Sequence, residues 1–205
     1  ALKTGLQLET RTGVNPYKFG MIGSTDAHTS LATGTEKNFW GKATLVEPGT
    51  PRTNETFIES SAGEELDVVA WEQVASGYAA AWATANTREA IFDAMRRREV
   101  YATTGPRMQV RFFGGWDYTE GDVLGPDSVF AGYRKGVPMG ADLPPRPAED
   151  AGAPGFLLMA LKDPLGAHLE RIQVVKGWLD AEGQTHEKVY DVKVAPKTGS
   201  TVDVE

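Results

Sequence analysis

Asp26 and His28 are the residues of this chain best placed to act together on a ligand, since one residue separates them and both follow an apolar run. Phe19-Gly20-Met21-Ile22 reads as a short buried strand, and Gly23 releases the backbone from it. In barrels and open α/β sheets, chemistry sits where strands end at their carboxyl edge. A strand finishing in Ser24-Thr25-Asp26-Ala27-His28 therefore delivers a carboxylate and an imidazole to such a rim, where both can converge on metal. Ser24, Thr25 and Thr29 add hydroxyls suited to hydrogen bonding the ligands. The plain alternative is a turn in which Asp26 bonds the backbone two residues on and His28 is half-buried.

The elements that would position this pair can be taken in order. Leu2 to Leu8 reads as a helix, and a Gly13-Val14-Asn15-Pro16 turn leads into the strand. Thr29 to Thr53 is a polar loop whose Lys37, Asn38 and Lys42 are candidates for substrate contacts, because binding residues concentrate on loops. A solvated loop anchored by Phe39 and Trp40 is the competing reading. Pro48 to Gly63 is poor in apolar residues, and Ala79 to Ala83 reads as close-packed surface or loop. Asn86 to Arg98 is a helix with Asn86 as cap, Glu89 three residues later in a capping-box arrangement, and arginines in the last turn. Val100 to Ala102 then reads as a strand, ending in Thr103-Thr104-Gly105-Pro106-Arg107. Arg107 on that turn suits bidentate capture of a phosphate, with Thr104 as a hydroxyl donor; a structural salt bridge is the alternative for Arg107.

From Met108 onward the apolar period changes to two. Asp117 to Pro154 reads as loop with short edge pieces. Phe156 to Leu161, Leu169 to Val175 and Lys188 to Val194 read as strands, with Asp180-Ala181-Glu182-Gly183 turning the second into the third. With Met108 to Phe113 they make about four strands, enough for a small antiparallel sheet or sandwich half. The expected organisation is thus an α/β segment over 1–107 followed by a β-rich tail over 108–205.

Composition narrows the function. The 205 residues carry a net charge of -7, and no basic cluster exceeds Arg96-Arg97-Arg98, which argues against a nucleic-acid partner. No apolar run is long enough to span a bilayer. With no cysteine, a metal must be held by imidazole and carboxylate oxygen, donors that zinc, manganese and iron all accept. The chain has 3 histidines, and His168 and His186 fall in the tail, away from His28 in sequence. A hydrolytic site needs about three protein ligands per metal. The expectation is therefore an internal fragment, with the remainder of the same polypeptide completing the site.

Gly23-Ser24-Thr25-Asp26-Ala27-His28 resembles the last metal-binding motif of the polymerase and histidinol phosphatase (PHP) superfamily. The runs Glu72 to Trp82, Asn86 to Met95, Tyr101 to Arg107 and Phe112 to Trp116 are similar to the PHP-related family known as domain of unknown function 3604. That resemblance covers nearly the whole chain. It implies a partial PHP-type, distorted β/α-barrel segment over 1–107, followed by a small antiparallel sheet or sandwich. It also implies Asp26 and His28 as ligands in a site of two or three metals, a small phosphoester as substrate, and export to the periplasm or outside the cell. Amide or lactone hydrolysis by the same metal-water chemistry, and a non-catalytic β-rich binding module, are the rival expectations.

Overall fold

A computed structural model describes residues 1–29, 41–42, 56–74 and 77–196. The chain forms two compact units, Ala1–Gly20 with Leu161–Glu205, and Met21–Ala160.

In the first unit, helix α1 (Leu2–Thr12) ends at Gly13, whose φ of 76° is the left-handed conformation that lets its N–H reach the Glu9 carbonyl at 2.8 Å. The helix packs on a hairpin of β8 (Arg171–Leu179) and β9 (Thr185–Val194), paired antiparallel from Arg171↔Val194 to Leu179↔Thr185. Two polar contacts fix it there: Gln7 Nε2 donates to the Gly183 carbonyl at 3.2 Å, and Lys3 pairs with Glu187 at 2.8 Å. The turn at 180–183 forms where the Asp-Gly signal predicts it, with Gly183 at φ 77°.

The second unit is built from short strands. β1 (Thr56–Ile58) pairs with β2 (Val68–Val69), β3 (Tyr78–Ala81) pairs with β4 (Val100–Thr103), and β5 (Gln109–Gly115) lies between β6 (Gly136–Pro138) and β7 (Gly155–Leu161). Helix α2 (Arg88–Arg96) joins β3 to β4, while α3 (Gly121–Leu124) and α4 (Ser128–Lys135) lie between β5 and β6. The polar stretch after Asp117, expected to be loop with short edge pieces, holds two helices besides the edge strand β6. Its apolar residues Val129, Phe130, Ala131 and Tyr133 are few, which hides a short helix from a periodicity reading.

The expected PHP-type α/β segment does not form. Among the described residues, strand (30%) exceeds helix (22%), the strands lie in small separate antiparallel sheets, and no barrel closes. The reason is visible around α2. Strand, helix and strand follow one another in sequence, but β3 and β4 pair antiparallel, from Tyr78↔Thr103 to Ala81↔Val100. Arg98 takes φ 64° and Glu99 N–H bonds the Ala94 carbonyl at 3.0 Å, ending the helix sharply. The chain then re-enters beside the residue at which it left, with Trp82 N–H on the Glu99 carbonyl at 3.0 Å. A parallel neighbour would require the chain to re-enter at the opposite end. The cap of α2 also differs from expectation: Thr87, not Asn86, accepts from Ala90 N–H, at 3.2 Å. Nor are Phe19, Met21 and Ile22 a buried strand; they lie outside regular structure and each is about half exposed.

The core of the second unit is small and centres on Phe113 and Leu157. The Phe113 ring meets Tyr133 edge-on at 4.9 Å and lies over Gly132, where a Cβ would come within 2.7 Å of it. Phe112 stacks on Phe156 at 5.3 Å. Asp122 ties α3 to the end of α4. It accepts from Thr119 N–H at 2.7 Å and Thr119 Oγ1 at 2.9 Å, and meets Lys135 Nζ at 2.8 Å.

Two predictions follow from this packing. Phe113→Ala removes the largest fully buried side chain among the described residues and lowers unfolding free energy by about 3–5 kcal/mol in urea titrations. The hydrogen bond from Lys135, then those from Thr119, hold the Asp122 carboxyl at about 2. Because that value lies below the unfolded one, the contribution of Asp122 is fully present above the ordinary carboxylate range and disappears as pH falls toward 2. Asp122→Asn is therefore less stable than the parent near neutrality, and the gap closes in acid melts.

Candidate functional site

The turn carrying Asp26 and His28 is set by backbone packing against one end of β3 and β4. A Cβ on Gly77 would stand 2.8 Å from the Thr103 carbonyl and 3.4 Å from that of Ser24, and a Cβ on Gly23 would be 3.3 Å from Ala102 Cβ. Glycine at 77 and 23 thus lets the Gly23-Ser24 backbone lie on the β4 end of the hairpin. Thr25 is buried there, and its Oγ1 accepts from Ala27 N–H at 3.3 Å. Asp26 then takes φ 58°, a left-handed conformation that Asp tolerates better than most residues and that turns the chain sharply.

Because Ser24 lies beside Gly77 and Thr103, the Asp26–His28 turn and the Thr104–Arg107 turn leave the same end of this hairpin. The structure therefore brings to one rim two stretches that are far apart in sequence. Arg107 has its guanidinium carbon 5.3 Å from the Tyr78 ring centroid, a cation–π contact at the first residue of β3. Tyr78 gives no signal in the sequence beyond an aromatic at a strand start. Thr104 and Arg107 are both exposed.

Lys42, a candidate for substrate contacts in the sequence, is buried and meets Asp26. Its carbonyl accepts from His28 N–H at 2.7 Å, and its ammonium lies 2.6 Å from Asp26 Oδ2 and 2.5 Å from the Asp26 carbonyl. The hydrogen bond from Lys42, and then its charge, hold the Asp26 carboxyl below the usual range. His28 Nδ1 sits 2.9 Å from the Asp26 carbonyl. With the ring proton on that nitrogen and donated to the carbonyl, the Nε2 lone pair faces outward. Lys37 and Asn38 lie outside the described residues.

An anionic carboxylate and an imidazole with its Nδ1 proton engaged are a donor pair that fits zinc, manganese or iron. Among the described residues, no group of three or more His, Asp and Glu side chains gathers into a metal site. Asp26 and His28 stand on this turn as a pair of candidate donors. His186, in the first unit, pairs with Asp180 at 2.6 Å and stacks on Trp178 at 5.5 Å.

The pair of Lys42 and Asp26 makes an ordering test. Asp26→Ala removes the carboxylate that meets a buried ammonium, whereas Lys42→Met removes the charge itself. Thermal melts should rank Lys42→Met as the milder change, with the double variant recovering part of what Asp26→Ala loses. In Lys42→Met the Asp26 carboxyl also moves up toward the ordinary value, which a carbon-detected NMR titration reads directly.

No curated protein and no solved structure matches the chain. Residues 1–204 match the family described as "Protein of unknown function (DUF3604)". With a match across nearly its whole length, the chain belongs to the DUF3604 family.

Proposed function

We propose that the chain supplies part of the active site of a metal-dependent hydrolase acting on small phosphoesters. One observation carries this reading: His28 has its Nδ1 held by the Asp26 carbonyl while the Asp26 carboxylate is kept anionic beside it. That is the arrangement by which proteins orient an imidazole toward a metal. The likeness of residues 23–28 to the PHP metal motif agrees with it, and export to the periplasm or outside the cell belongs to the same reading.

Asp26 Oδ1 and His28 Nε2 would hold the metal, zinc, manganese or iron, in a site of two or three ions. A bound ion of this kind lowers the pKa of a coordinated water and so supplies hydroxide near neutrality. Lys42 keeps Oδ2 of Asp26 and fixes the direction of the carboxylate. Arg107, held near the Tyr78 ring on the adjoining turn, steadies negative charge on the phosphoryl oxygens, and Thr104 donates a hydroxyl beside it. Further ligands would come from the remainder of the same polypeptide. Exposed apolar side chains at Met21 and Ile22, and at Phe92 and Met95 on α2, support a surface that further chain covers.

The test is metal titration of the 205-residue chain with zinc, manganese and anaerobic iron, beside metal analysis and turnover of the longer polypeptide. The short chain should bind weakly, with His28→Ala and Asp26→Asn each lowering affinity at least about tenfold. The longer polypeptide should hydrolyse p-nitrophenyl phosphate, and Arg107→Met should reduce kcat/KM by about tenfold or more. Metal-free protein after supplementation would leave the binding-module reading in its place. Ester or amide turnover without phosphoester turnover would sink the choice of substrate.

A further inference from the structure

The opposite end of the β3–β4 hairpin holds a second cluster of ionisable groups that the proposed hydrolase chemistry does not use. Trp82, one residue past β3, and Glu99, one residue before β4, face each other across the end of the ladder. From Tyr78 to Trp82 is four residues, or roughly 13 Å of strand. The cluster is therefore well separated from the Asp26 rim.

Glu99 is buried, with its side chain only 3% exposed. Its Oε2 accepts from Arg97 Nε at 2.8 Å, and its Oε1 accepts from the Tyr133 hydroxyl. Arg97 Nη2 also donates to the Trp82 carbonyl at 2.7 Å. Tyr133 Oη in turn accepts from Arg111 Nη1 at 3.1 Å, and the guanidinium carbon of Arg111 lies 3.4 Å from the Trp82 ring centroid. The Trp82 ring is fixed by its own Nε1–H on the Val110 carbonyl at 2.9 Å. These groups line a cavity of about 490 Å³ together with Ala83, Thr84 and Pro138.

Charge and geometry say what such a cavity takes. Arg97 and Glu99 neutralise one another, and burial with the Glu99 contact keeps the Tyr133 hydroxyl protonated. Arg111 then carries a positive charge that no carboxylate among the described residues offsets. Stacking on Trp82 covers one flat face of the guanidinium and leaves its N–H edge as the polar way in. A planar carboxylate matches that edge with two parallel hydrogen bonds. A phosphate monoester would bring a second negative charge toward Glu99. Trp82 and Pro138 offer apolar surface to the body of the ligand.

We propose that this cavity binds a small organic monocarboxylate through Arg111, with the ligand's apolar or ring portion against Trp82 and Pro138. The site is independent of the metal reading and stands whether or not that reading holds. Its residues come from β3, the end of α2, β5 and α4, so one small ligand would tie together four elements of the second unit.

The experiment is calorimetric titration of the 205-residue chain with benzoate, acetate, phenyl phosphate and benzyl alcohol at low ionic strength. Benzoate should bind more tightly than acetate and phenyl phosphate, and benzyl alcohol should not bind. Arg111→Met should weaken benzoate at least about tenfold, while Arg107→Met leaves it within about twofold. If Arg111→Met does not fold, Arg111→Lys keeps the charge without the planar fork and should show the same loss with a near-parental melting temperature. The proposal is overturned if benzoate does not bind, if neither Arg111 variant weakens it, if phenyl phosphate binds tighter, or if Arg107→Met weakens benzoate as Arg111→Met does.

Discussion

The second unit is organised around a carboxylate that must not be left alone. Glu99 is buried, and a buried carboxylate persists only if its oxygens are engaged by donors of sufficient strength. Arg97 from the end of α2 and Tyr133 from α4 provide them. Their own geometry is then constrained: Arg97 also holds the Trp82 carbonyl, and Tyr133 stands between Arg111 of β5 and the Phe113 ring. One ionised group thus sets the positions of two helices and two strands. The apolar core here is too small to do this alone, since among the described residues Phe113 and Leu157 are the largest fully buried side chains.

The Asp26 rim uses the reverse arrangement. There the buried charge is cationic, Lys42, and its carboxylate partner lies at the surface, 69% exposed. A carboxylate in that position keeps one oxygen on the ammonium while the side chain as a whole stays open to solvent. Lys42 fixes the direction of that carboxylate through its two contacts and favours the ionised form. The two ends of the four-residue β3–β4 ladder therefore carry opposite designs, one enclosing an acidic side chain with a guanidinium and a phenol and the other presenting a carboxylate outward.

How much of this was legible in the sequence follows from the range of each interaction. Local signals were sound for β7, the 180–183 turn and the body of α2, because alternation, Asp-Gly chemistry and helical spacing are short-range. The direction of β4 relative to β3 was not legible. It depends on Arg98 adopting a left-handed φ, which nothing about an arginine announces. The barrel expectation came from the family resemblance, and the stretch read as surface or loop at Ala79–Ala83 instead begins within β3, which pairs antiparallel with β4.

The same distinction explains the site residues. Asp26 and His28 announce themselves because their chemistry and spacing are local, and the structure adds that they share a rim with Thr104 and Arg107. Lys42 reads as a candidate for substrate contacts on a polar loop, and only tertiary packing shows it buried against Asp26. Glu99, Arg111 and Tyr133 are separated by up to 34 residues and meet only when β5 and α4 pack on the end of the hairpin. A buried glutamate following three arginines reads most simply as the charged end of a helix. What distinguishes it is the number of elements that converge on it, and convergence is a property of the fold rather than of any window of sequence.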